Sequence, residues 1–262
     1  MTPILQVALD EVELARAVQI AREAVDGGAD YVEAGTPLIK SEGMDAVRTL
    51  KKAFPGHAIV ADMKTMDTGA IEVEMAAKAG AAIVSILGAS ADATISDALR
   101  SARKYGVRLS VDLINVPEPA ARAARLQEMG VDMIGVHVGI DQQMTGQDPL
   151  DVLRKVRGAV SVPIAAAGGL DARRAAAAVA LGADIVIVGG NIIRSKDVTG
   201  ATRAVREAID HRMAVEEIEG KGSLDQEIHD LFLKVSTPNI SDAMHRHPAL
   251  RDIRPVWEGI KI

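Results

Sequence analysis

Short aliphatic runs alternate along the chain with longer stretches in which apolar residues recur at helical spacing. Four of these runs follow a glycine and form a repeat, at residues 28–35, 80–88, 130–139 and 182–190. Their leading glycines lie 52, 50 and 52 residues apart. In each copy a glycine ends a helix, a short turn follows, and an aliphatic strand ends at a second glycine. A repeat of this length indicates that one supersecondary unit recurs along the chain.

Four further aliphatic runs lie between the repeat copies, at residues 4–10, 58–64, 108–114 and 162–169. With helical stretches such as 11–26, 69–79 and 195–210, they complete eight strand–helix units in about 210 residues. Strict alternation indicates a parallel sheet, and eight units favour closure into a barrel. Neither a dinucleotide fingerprint nor a Walker loop follows the first strand, which weakens the open-sheet alternative. The prediction is an α/β protein: a (β/α)8 TIM barrel over residues 1–212, followed by a short, mainly helical C-terminal extension.

The composition fits a core of small aliphatic side chains. Hydrophobic residues make up 48% of the chain and aromatic residues 2%, which suits parallel strands buried on both faces. A net charge of −6, without a long Lys/Arg run or an aromatic platform, argues against a nucleic-acid partner. The lack of cysteine excludes disulfides, thiolate catalysis and zinc–thiolate sites. No apolar run approaches the roughly 18 residues of a membrane span and no basic leader is present, so we expect a cytoplasmic protein without membrane contact.

Ionisable residues recur where the predicted strands end, which is where barrel enzymes place their chemistry. Five strands carry such residues: Asp10, Glu33, Asp62 with Lys64, Asp112 and His137. A single acid at a strand end more often caps the next helix. So many charges in one partly dry cavity need a cation or shifted pKa values to balance them, which favours a catalytic site.

Three of these residues are candidates for particular chemistry. Glu33 and Asp62 come from adjacent strands and suit a hard, oxygen-seeking ion such as Mg²⁺. His137 alone would more often be a core histidine, but beside the acids and Lys64 it is a candidate proton carrier.

The last two predicted strands end in glycine pairs, Gly168-Gly169 and Gly189-Gly190. Glycine pairs often do no more than make tight turns. However, the loops after strands 7 and 8 of this fold commonly bind phosphate, and glycines let backbone N–H groups approach an anion. Two pairs at these two positions predict a phosphate site.

The run from Asp62 to Asp67 has the form D-x-K-x-x-D, which resembles the signature of the orotidine-5′-phosphate decarboxylase suprafamily. Within it, residues 1–210 resemble the 3-hexulose-6-phosphate synthases, on segments 6–10, 32–37, 61–69 and 137–143. The resemblance implies an aldolase that joins formaldehyde to D-ribulose 5-phosphate, or catalyses the reverse cleavage, through an enediolate.

Carried over by position, the resemblance makes Glu33 and Asp62 the Mg²⁺ ligands. Lys64 would stabilise the enediolate, with Asp10 hydrogen-bonded to it. Removing a proton from C1 of a 2-ketose leaves charge on two vicinal oxygens, and a divalent ion holds such charge well.

The resemblance also implies that Asp112 and His137 are the candidates for proton transfer, with the general base left open. Asp67 would reach the active site of the neighbouring subunit in a homodimer. The loop at residues 140–148 either closes over the substrate or is a solvated connection; both stay open.

Two other functions stay open. The related 3-keto-L-gulonate-6-phosphate decarboxylases pass through a similar enediolate, but they carry an arginine three residues after the strand-6 histidine and a glutamate in strand 5. Ile140 and Asp112 occupy these positions here and favour the aldolase. A barrel that binds sugar phosphate without turnover is the other alternative. Many relatives also carry an arginine where Gly190 stands, and Arg194 is a candidate for the missing charge.

The end of the chain differs in character from the barrel. Residues 213–223 are charged and rich in glycine, and they predict a linker. Residues 224–262 resemble the opening of an RraA-like domain, notably at 236–244 and 253–257. About 40 residues cannot bury a core of their own, so we assign the segment no catalysis. Either the chain is a piece of a longer fusion, or the segment packs against a barrel.

Overall fold

The computed structural model describes residues 2–144 and 146–211, which form a closed barrel of eight parallel strands. Each strand pairs with the next along the chain, and β8 pairs with β1 to close the barrel. The strands are β1 (Ile4–Leu9), β2 (Tyr31–Ala34), β3 (Ala58–Thr65), β4 (Ile83–Leu87), β5 (Arg108–Asp112), β6 (Met133–His137), β7 (Ile164–Ala167) and β8 (Ile185–Val188). The predicted (β/α)8 barrel is confirmed.

Helices follow every strand, and most of them cover the outside of the barrel. They are α1 (Leu14–Asp26), α2 (Thr36–Glu42), α3 (Asp45–Ala53), α4 (Gly69–Ala79), α5 (Asp92–Tyr105), α6 (Pro119–Met129), α7 (Ile140–Met144), α8 (Pro149–Arg157), α9 (Ala172–Ala180), α10 (Gly190–Ile193) and α11 (Val198–Asp210). In α1, Ala17, Ile20, Ala21 and Ala24 are buried, so one stripe of the helix packs on the strands.

The repeat seen in the sequence has a conformational cause. Its leading glycines, Gly28, Gly80, Gly130 and Gly182, all have φ between 87° and 104°, a left-handed conformation that other residues adopt at a cost. Each therefore turns the chain from the end of a helix into the next strand.

Three copies of the repeat carry an aspartate two residues after this glycine, and we call these the strand-capping aspartates: Asp30, Asp132 and Asp184. Their carboxylates accept hydrogen bonds from the backbone N–H of Leu5, Leu109 and Ile164, at 2.8, 2.7 and 2.9 Å. Each aspartate thus ties the start of the preceding strand to the start of its own, at the end of the barrel opposite the strands' C-termini.

Several elements differ from their predicted bounds for local reasons. Strand β5 ends at Asp112, not at residue 114, because the carboxylate of Asp112 accepts the N–H of Ile114 and turns the chain. Helix α11 begins at Val198, not at 195, because Asp197 caps it through the N–H of Gly200. The segment predicted as a loop at 140–148 contains the short helix α7.

The predicted domain boundary at 212, the linker at 213–223 and the RraA-like segment at 224–262 lie outside the described residues and stay predictions. Within the described residues, no helix combines the length and apolar character needed to cross a lipid bilayer.

Candidate active site

A cavity of about 750 Å³ opens at the C-terminal ends of the strands. Apolar side chains such as Val60, Ile83 and Met133 form its floor inside the barrel. Ten of the eleven site residues expected from the sequence line it: Asp10, Glu33, Asp62, Lys64, Asp112, His137, Gly168, Gly169, Gly189 and Gly190. We call the first six of these the charged sector and the four glycines the glycine sector.

The eleventh residue, Asp67, does not line the cavity among the described residues. It is exposed two residues before α4 begins, where its carboxylate accepts the N–H of Thr68 at 2.7 Å. A single copy of the chain therefore does not bring Asp67 into the site.

Lys64 connects two acids of the charged sector. Its Nζ lies 2.7 Å from Oδ2 of Asp62 and 2.8 Å from Oδ2 of Asp112. Burial alone would lower the pKa of Lys64, but the negative charges of Asp112 and Asp62 outweigh burial and raise it. The lysine is therefore fully charged at neutral pH. Its ion pairs are with these two aspartates and not with Asp10, the partner that the resemblance implied.

His137 continues this network. Its Nδ1 lies 3.1 Å from Oδ2 of Asp112, and because an ionised carboxylate only accepts, the Nδ1 side of the ring carries the proton. Burial would raise the pKa of Asp112, but the hydrogen bond from His137 and the charge of Lys64 hold it below its ordinary value. The arrangement fixes the ring and leaves Nε2 available for proton exchange.

The backbone at Lys64 is unusual. Lys64 has φ of 49°, in the left-handed region that non-glycine residues rarely adopt, and the pairing of β3 with β4 shifts register between Asp62 and Thr65. A register shift of this kind is a β-bulge, and β-bulges often redirect side chains near functional sites. This bulge accompanies the placement of Lys64 between its two acids.

Glu33 is buried close to a second negative charge. Burial, followed by the charge of Asp62, raises the pKa of Glu33 to about 8. The side-chain amide of Gln6 donates to Glu33 at 2.5 Å, and the hydroxyl of Thr36 lies 2.8 Å from Oδ2 of Asp62. These two neighbours orient the carboxylates.

The donor set fits a hard cation with a partly open coordination shell. Among the described residues, no three His, Cys, Asp or Glu side chains form a complete ligand set. However, Mg²⁺ is commonly held by one or two carboxylates, with water and ligand oxygens filling the other positions. The two carboxylates whose repulsion raises the pKa of Glu33 are the residues that could hold such an ion.

Asp10 is the member of the charged sector that lies next to Gly189 of the glycine sector. A methyl group on Gly189 would lie 3.2 Å from its Oδ2, and one on Gly35 would collide with its Oδ1, so both glycines make room for this carboxylate. Loss of hydration and the charge of Asp62 raise the pKa of Asp10.

The glycine sector presents backbone rather than side chains. Gly168 and Gly169 have φ of 113° and 63°, and a methyl group on Gly168 would lie 2.5 Å from the carbonyl oxygen of Val138. Gly189 precedes α10, and the guanidinium of Arg194 folds back against Gly190. A side chain at any of these glycines would therefore require neighbouring atoms to shift, and Arg194 brings one cation to the edge of the sector.

Several polar residues of the cavity were not identified from the sequence, including Gln6, Ser85, Ser110 and Gln143. A signal was present for Gln6, which lies two and four residues before Ala8 and Asp10 and so shares their face of the strand. Gln143 lies in a short helix whose packing the sequence pattern does not reveal.

Fold and site together place the chain among the (β/α)8-barrel enzymes with a charged site at the C-terminal ends of the strands. Residues 3–205 match the orotidine 5′-phosphate decarboxylase / HUMPS family, and the chain belongs to this family. By this membership and the similarities below, it is an enzyme of the lyase class.

The chain is similar to 3-hexulose-6-phosphate synthase 2 of Staphylococcus saprophyticus, with 40% identity over 207 residues, which cover 79% of this chain and 97% of the relative. The crystal structure of 3-hexulose-6-phosphate synthase from Salmonella typhimurium is similar with a TM-score of 0.77 and 36% identity, over 80% of this chain and 99% of that one. That of 3-keto-L-gulonate-6-phosphate decarboxylase from Vibrio cholerae has a TM-score of 0.71 and 28% identity, over 82% and 100%.

Proposed function

We propose that the chain is a Mg²⁺-dependent aldolase that condenses formaldehyde with D-ribulose 5-phosphate to give D-arabino-hex-3-ulose 6-phosphate, and catalyses the reverse cleavage. The observation that carries this proposal is the network in which Lys64 lies between Asp62 and Asp112 while His137 is held by Asp112. The identity of 40% to a curated synthase, over nearly its whole length, supports it.

The reaction begins with loss of a proton from C1 of the ketose, which gives an enediolate. C1 then forms a bond to the carbon of formaldehyde, and the aldehyde oxygen takes up a proton. Lys64, kept charged by its two aspartates, lies where it can stabilise the enediolate. Glu33 and Asp62 would hold Mg²⁺, which would supply positive charge to stabilise the enediolate.

We assign proton transfer to the pair formed by Asp112 and His137. Asp112 holds the ring of His137 through Nδ1, so Nε2 can exchange a proton with a ligand in the cavity. Because the raised pKa of Lys64 keeps it protonated, we assign it to charge stabilisation and not to proton abstraction.

We assign the phosphate group of the substrate to the glycine sector. Backbone N–H groups of such glycine pairs can approach an anion without hindrance from side chains. Among the described residues, the lysine and arginine side chains that line the cavity are Lys64 and Arg194. Lys64 is already ion-paired. Arg194 forms no ion pair within the described part of the chain, and we propose that it contributes the positive charge to phosphate binding.

We also propose a homodimer in which Asp67 reaches the cavity of the partner. Asp67 is flanked by exposed apolar side chains, since Met66, Ile71 and Met75 are 56%, 58% and 44% exposed. An apolar patch around an acid that its own site does not use suits an interface with a second copy. If Ile71→Asp left the mass in light scattering unchanged from that of wild type, this interface would be excluded.

Decarboxylation of 3-keto-L-gulonate 6-phosphate is the second candidate, because a decarboxylase shares the fold at 28% identity. Ile140 and Asp112 stand where the resemblance expects arginine and glutamate in those enzymes, which favours the aldolase. Release of CO₂ from that substrate, measured beside formaldehyde consumption, separates the two reactions.

The assay for the main proposal is formaldehyde consumption in the presence of D-ribulose 5-phosphate. We expect turnover with Mg²⁺, loss of turnover after EDTA treatment, and recovery when Mg²⁺ is returned in excess. Absence of turnover with Mg²⁺ supplied, in protein whose circular dichroism shows a folded state, would contradict the proposal.

A further inference from the structure

Gln143 belongs to α7, which follows β6, yet its side chain reaches the loop that follows β7. Its Nε2 donates a hydrogen bond to the carbonyl oxygen of Val138 at 2.8 Å, and its side chain lines the cavity. The carboxamide is therefore anchored at the end of β6 while it faces the glycine sector.

The carboxamide lies directly on the Gly168-Gly169 pair. A methyl group on Gly169 would lie 2.5 Å from Oε1 of Gln143, and one on Gly168 would lie 3.3 Å from Nε2. These distances are shorter than ordinary van der Waals contact. The side chain of Gln143 thus packs against both glycines and occupies the space that a side chain at Gly169 would otherwise fill.

Two consecutive residues with positive φ need support to keep one conformation. Gly168 and Gly169 have φ of 113° and 63°, and glycine reaches left- and right-handed regions about equally well. The orientation of their peptide planes decides whether their N–H groups point at a bound anion. A side chain packed on both residues removes that freedom before the ligand arrives.

We propose that Gln143 is a positioning residue, which holds the peptides of Gly168 and Gly169 in the orientation that binds the substrate's phosphate group. The inference rests on the proposed function, in which this glycine pair receives the phosphate. The neutral amide suits the task, because it donates to the Val138 carbonyl and brings no negative charge near the anion.

The experiment compares Gln143→Ala and Gln143→Glu with Gln147→Ala in the full chain. Gln147 is an exposed glutamine that follows α7 in the connection at residues 140–148, and it is not one of the described residues that line the cavity. The readouts are the dissociation constants of D-ribulose 5-phosphate and of unphosphorylated D-ribulose, by calorimetry with Mg²⁺, together with kcat and KM.

For D-ribulose 5-phosphate we expect about tenfold weaker binding in Gln143→Ala, and about 100-fold weaker binding in Gln143→Glu, which adds a charge that repels the phosphate. Binding of D-ribulose should change by less than about twofold in either variant, and Gln147→Ala should match wild type. A general structural defect would weaken both ligands alike, so the difference between the two ligands tests positioning of the phosphate site.

A second variant changes the glycine, rather than Gln143, in the contact between Gln143 and Gly169. Gly169→Ala should push the carboxamide away and reproduce the phenotype of Gln143→Ala, so the double variant should be no weaker than the worse single variant. Gly43→Ala is the matched control, because Gly43 also has φ of 63° but no atom within 4 Å of the added methyl group.

Equal loss of affinity for both ligands, or affinity of Gln143→Ala for the phosphate ester within about twofold of wild type, would overturn the inference. The proposed reaction is judged separately. If wild type binds D-ribulose 5-phosphate in a Gln143-dependent way but consumes no formaldehyde, the aldolase proposal fails and the inference stands.

Discussion

The charged sector holds its residues through one another, whereas the glycine sector offers the backbone itself. Lys64, Asp62, Asp112 and His137 form a chain of ion pairs and hydrogen bonds, while Gly168 and Gly169 leave their peptides uncovered by side chains of their own. The charged sector contains electrostatic conflict, seen in the raised pKa of Glu33. The glycine sector instead depends on backbone conformation, because Gly168 and Gly169 have positive φ angles that residues with a side chain rarely adopt. Deleting a charge should therefore damage one sector, and adding a single methyl group should damage the other.

The largest effect is expected at Lys64. Lys64→Ala removes the charge between Asp62 and Asp112 and the stabilisation of the enediolate, and we expect kcat to fall by at least about 10³-fold. Substrate affinity should fall much less, because the glycine sector is unchanged. Steady-state kinetics measures both quantities, and circular dichroism checks the fold. A rate within tenfold of wild type would show that Lys64 is not at the reacting centre.

The next largest effect is expected from a methyl group in the glycine sector. Gly168→Ala places a Cβ 2.5 Å from the carbonyl oxygen of Val138, at φ of 113°. The loop must move, and we expect kcat/KM for the phosphorylated substrate to fall by about 100-fold. Gly146→Ala is the control, because Gly146 has φ of 90° but open space around it. If the two variants lost activity alike, the strain of a positive φ would explain the loss, and not the close contact between the added methyl group and the carbonyl oxygen of Val138.

Binding of Mg²⁺ should depend on pH through Glu33. With a pKa of about 8 without metal, Glu33 must lose a proton when it becomes a ligand, so the apparent affinity should rise about tenfold per pH unit up to pH 8 and then level off. Because this pKa is raised on folding, the metal-free protein should lose stability as pH rises from about 4.5 to about 8. Thermal melting at pH 6.5 and 9 should therefore show a larger stabilisation by Mg²⁺ at pH 9. In Glu33→Gln the pH dependence should disappear; if it persisted, another group would be responsible.

The smallest effect is expected at the edge of the glycine sector. Arg194→Met removes a charge that remains partly in contact with water, and we expect KM to rise about five- to tenfold with kcat nearly unchanged. Lys196→Met removes an exposed charge two residues away and should leave KM as it is. A matching rise in KM for both variants would mean that only the overall charge of this edge matters.

The fold could be predicted from the sequence because each repeat carries its own turn signal. The left-handed glycines Gly28, Gly80, Gly130 and Gly182 mark where strands begin, and in a closed parallel barrel the strand ends must meet at one rim. Ten of the eleven expected site residues line the cavity for this reason.

The partners within the site could not be predicted, because they depend on side-chain geometry. The bulge at Lys64 and its positive φ accompany the pairing with Asp112 instead of Asp10. The contact of Gln143 with Gly168 and Gly169 depends on where a helix of five residues packs. A helix this short has no hydrophobic periodicity from which its packing could be predicted.

The strand-capping aspartates have a consequence for the order of assembly. Their bonds join residues only 25, 23 and 20 positions apart, so short loops suffice to form them, and neighbouring strands can dock early. The pairing of β1 with β8 joins Ile4 to Ile185, so it requires the first and the last strand of the barrel to come together. There the guanidinium of Arg206 donates hydrogen bonds to the carbonyl oxygen of Pro3 and to Asp30. We expect this contact, which joins the last helix of the barrel to its first strands, to be the last to form in refolding and the first to open under denaturant.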